Sequence, residues 1–599
     1  MPPRLFPPSR PVLPHRAIEE RLQASASRLF AEADPALFSV RPCPDARHGD
    51  YQVSAIMALA KARKTAPRPL AEQLKNSLDL SDLCEAVEVA GAGFINFRLR
   101  KETFTSALQT EGSGPRPLLE AARHPQTLVI DFSSPNVAKP MHVGHIRSTV
   151  LGDCLARLNR LIGHRVITDN HLGDWGTQFG KLLVGWKQYL DPSALKTNPI
   201  AELERLYKLV NQASESQPEV LEAARRELVA LQQGQPENLA IWREMIRLSQ
   251  DQFDRVYGRL GIQFDHTLGE SFYNPQLQGV VNQMLERGVA RQSDGAVCVF
   301  SDGTCPPKDD PFLIQRDGEW LPNPFLVRKS DGASNYATTD LATLDYRQRT
   351  WSPHRILYVT DGRQQLHFRQ LFAAFRRWQP AHRTRLEHIW FGSILAEDGK
   401  PFKTRSGETV RLEDLLDEAE ERALAVVTAK NPEWTESDRR HIARVVAIGA
   451  IKYADLLPNR QSDYLFSWDK MLALNGNTAV YLLYACARIH SLLRKSGATP
   501  GAEASLEALR LEAPEEIALA RLLLNYGLVL EAAAEECRPN YLCNYLYELA
   551  GLLARFWENC PVLKAAETER HSRLALSRLS GQVLKQGLET LGISTLDHM

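Results

Sequence analysis

Apolar positions along this chain switch between two spacings. GDYQVSAIMALAKARK (49–64) carries helical spacing, whereas AVEVAGAGFINFRLR (86–100) reads as strand, glycine turn and strand. GSGPRPLLEAARHPQ (112–126) lacks either period and reads as a linker. TLVIDF (127–132) is then a short buried strand, followed by the polar loop SSPNVAKPMHVG. In 145–163, Ile146, Val150, Cys154, Leu158 and Leu161 recur on one helix face, with Gly163 at the place of a C-terminal cap. RVITDN (165–170) is the next strand. Strand, helix and strand in that order begin a parallel α/β sheet. The pattern resumes at RILYVTD (355–361), HFRQLFAAFRRW and EHIWFGSIL, so 187–330 is expected to be a mostly helical insertion. From Phe466 onward nearly every segment has helical spacing, which predicts a bundle.

The expected fold is therefore a Rossmann-like α/β parallel-sheet domain with helical insertions over 125–465. A small α+β domain precedes it over 1–115, and an all-α bundle follows over 466–599. Six prolines in the first 14 residues would break a helix, so that stretch is expected to be a disordered tail.

Composition narrows the class without naming a function. The chain has 599 residues, 44% hydrophobic and 24% charged, as in ordinary globular proteins. No uninterrupted apolar run approaches the roughly 18 residues of a membrane span, so no membrane is expected. Lys+Arg and Asp+Glu are both 72, so bulk charge gives no sign of nucleic acid. The nine cysteines form no CxxC pair, which speaks against a zinc site or disulfide framework and fits a reducing cytosol. No metal ligands are expected.

Two loops carry candidate chemistry. Pro140-Met141-His142-Val143-Gly144-His145 lies between a strand and a helix, at the sheet edge where open α/β folds bind ligands. His142 and His145 can donate to phosphate oxygens, and Gly144 lets backbone approach closely. A helix cap plus one exposed histidine is the plain alternative. Gly399-Lys400-Pro401-Phe402-Lys403-Thr404-Arg405-Ser406-Gly407 is basic and glycine-bounded, suited to closing over a triphosphate. On its own it would read as an ordinary surface loop.

Together with DFSSPNVAKPMHVGHIRSTVLGD (131–153), DNHLGDWGTQFGKLL (169–183), NYATTDLA (335–342), YVTDGRQQLHFRQLF (358–372) and KPFKTRSGETVRLEDLLDEA (400–419), these loops resemble the arginyl branch of the class I aminoacyl-tRNA synthetases. GNTAVYLLYACARI (476–489), NYLYELAGLLARFWENCPVL (544–563) and HGDYQ…GFINFRL extend the likeness over nearly the whole chain, in the family's order. The resemblance implies an ATP-dependent arginine–tRNA ligase, with L-arginine, ATP and tRNA(Arg) as partners and Mg2+ accompanying ATP. It also implies a monomer in the cytoplasm that needs tRNA present before it activates the amino acid.

A guanidinium demands a carboxylate placed for paired hydrogen bonds. By the resemblance, Tyr336 and Asp340 hold that end, while Asp131, Asn136 and Gln364 line the amino-acid site. His142, Gly144, His145 and Lys403 meet ATP. The family's usual KMSKS is replaced here by PFKTR, and Lys139 supplies the missing cation. Which of Lys400, Lys403 and Arg405 reaches the phosphates stays open. The bundle resembles an anticodon-binding domain, with Tyr481, Tyr484 and the terminal Met599 near the anticodon. The N-terminal domain resembles a module gripping the outer corner of tRNA, with Phe94 stacking and Asn96 reading a base. Gly91 stands where some relatives have a polar residue. A cysteinyl-type synthetase would call for a zinc site, and a tRNA-binding paralogue without activity is the other alternative.

Overall fold

The computed structural model describes residues 13–400, 402, 410–497 and 505–599. Two compact units divide the chain: Met1–Ala122 with Ala473–Met599, and Arg123–Leu472.

In the first unit, a four-stranded antiparallel sheet runs in the order Arg41–Pro42, Tyr51–Val53, Phe94–Leu99, Cys84–Ala90. The hairpin expected over 86–100 is present and turns through Gly91 and Gly93, both at positive φ. The helix expected over 49–64 is shorter, Ala55–Arg63. Tyr51 and Val53 are buried on either side of half-buried Gln52, so the two-residue period wins there and gives a strand. The helix Pro14–Leu29 begins on a proline, whose missing N–H costs nothing at that position. Leu13 and Pro14 are buried, so ordered chain starts inside the stretch read as tail; residues 1–12 lie outside the described residues.

Helices Ala479–Lys495, Pro514–Leu524, Tyr526–Glu535, Asn540–Asn559 and Glu567–Thr590 form the bundle. Buried charge joins it to the N-terminal sheet. Asp50 accepts the Leu99 N–H at 2.7 Å and pairs with Arg521. By hydropathy Pro514–Glu535 is long and apolar enough to span a membrane, which the uninterrupted-run test missed. It is two helices that meet at Asn525 and bury Leu519, Leu523, Leu524, Tyr526 and Leu530.

The second unit is built on a parallel sheet in the order Arg385–His388, Arg355–Tyr358, Thr127–Asp131, Arg165–Asp169. Helices Leu277–Glu286, Tyr336–Trp351 and Gln365–Trp378 pack on one apolar core with it, around fully buried Leu341, Leu371 and Trp378. Helix Gly144–Ile162 ends at Gly163 with φ +105, as its spacing predicted. Gly152 is required there, because a Cβ would lie 2.1 Å from the Phe132 ring. The insertion is helical only as far as Glu286. Residues 291–328 form a three-stranded sheet and a separate hairpin, Leu313–Arg316 with Glu319–Pro322. These strands are four residues or shorter, too brief for alternation to stand out from sequence.

Candidate active site

Parallel register brings Tyr358, Asp131 and Asp169 into one row at the carboxyl ends of three neighbouring strands. The chain then leaves Asp131 through a loop under strain. Ser133 (φ +71), Ser134 (φ +48) and Ala138 (φ +61) all adopt left-handed backbone without being glycine. Each costs on the order of 1–3 kcal/mol unless its surroundings hold it. They do. The Ser133 N–H donates to Ser148 Oγ (2.9 Å), the Ser134 N–H to Asn170 Oδ1 (3.0 Å) and the Ala138 N–H to Ser249 Oγ (2.9 Å). Val137 and Ala138 are also buried against Phe179 and Leu183 of helix Gln178–Tyr189 and Met245 of the insertion. The loop is therefore fixed before any ligand arrives.

That fixation presents Asn136 outward. Val137 N–H donates to Gly173 O and Gly173 N–H to Pro135 O, both at 3.1 Å. A Cβ on Gly173 would meet Asn136 Oδ1 at 2.1 Å, so only glycine leaves the amide its place.

The His142 and His145 rings lie 4.0 Å apart between centroids, tilted 44° to each other. Gly144 N–H donates to His142 Nδ1 (3.0 Å), and His142 N–H donates to His145 Nδ1 (3.1 Å). With both Nδ1 atoms accepting, each neutral ring carries its proton on Nε2. Burial, with Arg363 and Lys139 nearby, lowers the His142 pKa. Burial, with His142 beside it, lowers His145 to about 3. The pair thus offers two uncharged N–H donors at neutral pH. A Cβ on Gly144 would lie 2.8 Å from the His142 ring, which explains the glycine.

The far end of the basic loop is stitched to this motif. Val143 N–H donates to Val410 O and Leu412 N–H to Met141 O, both at 2.9 Å. At the near end Phe402 packs on Phe466, with ring centroids 4.8 Å apart. Lys403 and Arg405 lie outside the described residues. Lys400 is exposed beside Asp398, and the Lys139 ammonium sits 5.1 Å from the centre of the Tyr207 ring.

A cavity of about 920 Å³ opens in this unit. Asn136 and Tyr336 line it, with Trp175, Glu270, Arg363 and His367. Asp131, Asp340 and Gln364, expected around the amino acid, are not part of its wall. Asp340 lies one helical turn below Tyr336, and its Oδ2 accepts from His367 Nε2 at 2.6 Å. Tyr336 is 65% exposed and edge-on to His367 at 4.9 Å. Asp131 is buried, with Oδ2 accepting from Arg347 Nη2 (2.7 Å) and Oδ1 from the Ser134 hydroxyl (3.0 Å). Gln364 is exposed at the turn before helix Gln365–Trp378.

Sequence reasoning missed Glu270, His367 and Arg347. Burial pushes the Glu270 carboxyl up to about 7; His171 opposes this, while Asp174 and Asp340 reinforce it. A cavity-lining acid poised near neutrality is a strong functional signal, but GESFY (269–273) carries no motif that announces it. Among the described residues no cluster of His, Cys, Asp and Glu could hold a metal ion.

In the other unit, Tyr481 is half-buried and edge-on to Tyr547 at 5.6 Å. Tyr484 is 44% exposed, with the Arg488 guanidinium 5.9 Å from its ring. Met599 is half-buried, and the end of the chain is held by Arg494, on the helix that bears Tyr481 and Tyr484, which donates to the Asp597 carbonyl (3.2 Å). Phe94 and Asn96 share one strand face; Phe94 is half-buried and Asn96 is buried between Gln52 and Glu88.

Three family models cover the chain in sequence. Residues 16–99 match the arginyl tRNA synthetase N-terminal domain, 107–468 the catalytic domain of class I (R) tRNA synthetases, and 482–599 the DALR anticodon binding domain. An arginine–tRNA ligase of Hahella chejuensis is 44% identical over 97% of this chain and 99% of its own length. One from a Synechococcus species is 42% identical over 98% and 100%. The solved arginyl-tRNA synthetase of Thermus thermophilus superposes with a TM-score of 0.81 at 26% identity, covering 98% of this chain and all of its own. That of Plasmodium falciparum gives 0.80 at 26% identity, covering 98% and 99%.

Proposed function

The chain belongs to the arginine-specific class I aminoacyl-tRNA synthetases, and from that premise we propose how its cleft works. It is an ATP-dependent ligase that activates L-arginine and charges tRNA with it. An oxygen of arginine's carboxylate attacks the α-phosphorus of ATP. The bond from that phosphorus to the bridging oxygen breaks, and pyrophosphate leaves with the Mg2+ that entered as part of the nucleotide substrate. The terminal ribose hydroxyl of tRNA then attacks the adenylate carbonyl and AMP departs. The reaction needs no covalent enzyme intermediate, so the protein's part is positioning and charge stabilisation.

The Nε2–H groups of His142 and His145 donate to the phosphates as charge shifts onto the leaving oxygen. Gly144 keeps the two rings close to the helix N-terminus. Lys139 and Lys403 supply cations. Asp340 and Glu270 receive the guanidinium beneath Tyr336, and Asn136, Gln364 and Asp131 serve the amino-acid end. Tyr481, Tyr484 and Met599 meet the anticodon, while Phe94 and Asn96 meet the outer corner of the tRNA. The enzyme acts as a monomer in the cytoplasm; the absence of any disulfide among the described residues, which include all nine cysteines, supports the reducing compartment.

One observation carries this assignment: Asn136, from the loop before the histidine pair, and Tyr336, from the helix that bears Asp340, line the same cavity. The test is exchange of pyrophosphate into ATP with arginine, lysine or citrulline, each with and without tRNA(Arg). Exchange with arginine alone among the three, requiring tRNA, is expected. Exchange that is indifferent to the amino acid's terminal group sinks the pocket assignment.

A further inference from the structure

Arg347 lies about two turns beyond Asp340 on the same helix face. Its side chain is completely buried. Nη2 donates to Asp131 Oδ2 at 2.7 Å and to Asp169 Oδ2 at 2.8 Å, and the guanidinium lies 5.3 Å from the centre of the Tyr358 ring. The chain's own guanidinium therefore spans the row of strand ends where ligands usually sit in this fold class.

The charge does not cancel. Burial raises the Asp169 pKa, and with both acids ionised two carboxylates against one guanidinium leave one negative charge in excess, so an opposite charge brought to the cluster is strongly favoured. Asp169 is sealed on its other side, since Oδ1 accepts the Leu268 N–H at 3.2 Å. Asp131 instead gives its second oxygen to Ser134, a left-handed residue of the loop that presents Asn136. The hold of Arg347 on Asp131 thus reaches that loop.

We propose that Arg347 is a positioning residue for the amino-acid substrate. It fixes Asp131 and, through Ser134, the Asn136 loop, so that the cluster's excess negative charge faces the substrate's α-ammonium while Asp340 takes the guanidinium. This rests on the functional reading above.

Arg347→Met, Arg347→Lys and the double variant Arg347→Met/Asp169→Asn test it in the full chain, by pyrophosphate exchange with tRNA(Arg) and by thermal unfolding. Arg347→Met raises the arginine KM about ten- to a hundredfold, the usual consequence of stripping a donor from a buried carboxylate. The ATP KM changes less than about twofold. Arg347→Lys keeps a cation and its N–H donors on a side chain one atom shorter than the reach of Nη2, and raises the arginine KM by an intermediate factor. The double variant keeps the wild-type net charge with one fewer buried acid. It therefore recovers thermal stability relative to Arg347→Met, while its arginine KM stays high.

Return of the arginine KM to the wild-type value in the double variant overturns the proposal, because charge balance alone would then suffice. So does an unchanged arginine KM in Arg347→Lys. If Arg347→Met does not fold, the other two variants decide. A wild-type chain without arginine-dependent exchange overturns the functional reading as well; exchange in the wild type with unaltered arginine KM in the variants overturns this inference alone.

Discussion

Two pairs of carboxylates stand beside the helix Tyr336–Trp351, and they differ in what balances them. Asp131 and Asp169 share the buried guanidinium of Arg347. Asp340 is hydrogen-bonded to His367, and Glu270 forms no ion pair with Lys or Arg among the described residues. The first pair is buried, Asp169 wholly so; of the second, Glu270 lines a cavity of about 920 Å³ and Asp340 stands behind its wall, bonded to the lining residue His367. One rule governs both, since buried acids need a cation or must give up their charge. At the sheet edge the chain supplies the guanidinium itself. At the cavity it leaves the place for one, and Glu270 responds by holding its proton up to about pH 7. The internal site thus shows, in the same unit, how this protein grips a guanidinium when one is present.

The contrast breaks most sharply at Asp340. Asp340→Ala removes the acid that faces the incoming charge, so arginine kcat/KM should fall about a thousandfold, the scale of breaking a desolvated charge pair. The ATP KM should hold within about threefold. Steady-state exchange kinetics check both, and near-normal arginine use would mean that the second pair is not the substrate's. Gly173→Ala tests the loop between the pairs. The added methyl group occupies the position of Asn136 Oδ1, and displacing a positioning group by about 1 Å costs on the order of a hundredfold in rate. Thermal stability should change little, because the clash falls on a side-chain end. Wild-type turnover in that variant would remove Asn136 from the site.

Much of this contrast was legible in the sequence, for local reasons. The family resemblance singled out Tyr336 and Asp340, and a strand-to-helix loop located His142 and His145. Gly163 marked a helix end because its conformation favours glycine. Arg347 lies about two turns beyond Asp340 on helix Tyr336–Trp351, a helix not read from sequence, and nothing local tells a buried arginine from a solvated one. Glu270 joins Asp340 only through the tertiary fold. The strain at Ser133, Ser134 and Ala138 was hidden because none of them is the glycine that left-handed backbone favours; distant donors and acceptors such as Asn170 and Ser249 hold them there. The strands within 291–328 were missed because each is too short to show its period.

The finest test of the contrast is whether the second pair stays incompletely charged until substrate arrives. Glu270's carboxyl is raised from its ordinary 4.5 to about 7, first by burial. A raised carboxyl pKa favours the folded state when protonated, so its contribution is fully present below about pH 4.5 and lost as pH rises through about 7. The free enzyme's thermal midpoint should therefore drift down between pH 5 and pH 8 through this group. Saturating arginine should flatten the drift, because a bound guanidinium stabilises the ionised form. Binding has the opposite dependence: arginine KM should rise about three- to tenfold from pH 8 to pH 6, as one of the two acids goes neutral. Glu270→Gln removes both slopes and holds KM near its low-pH value. Arginine titrations and thermal scans of the two proteins across that range decide the matter. If variant and wild type superpose at every pH, Glu270 is a bystander, and Asp340 with His367 must meet the guanidinium without it.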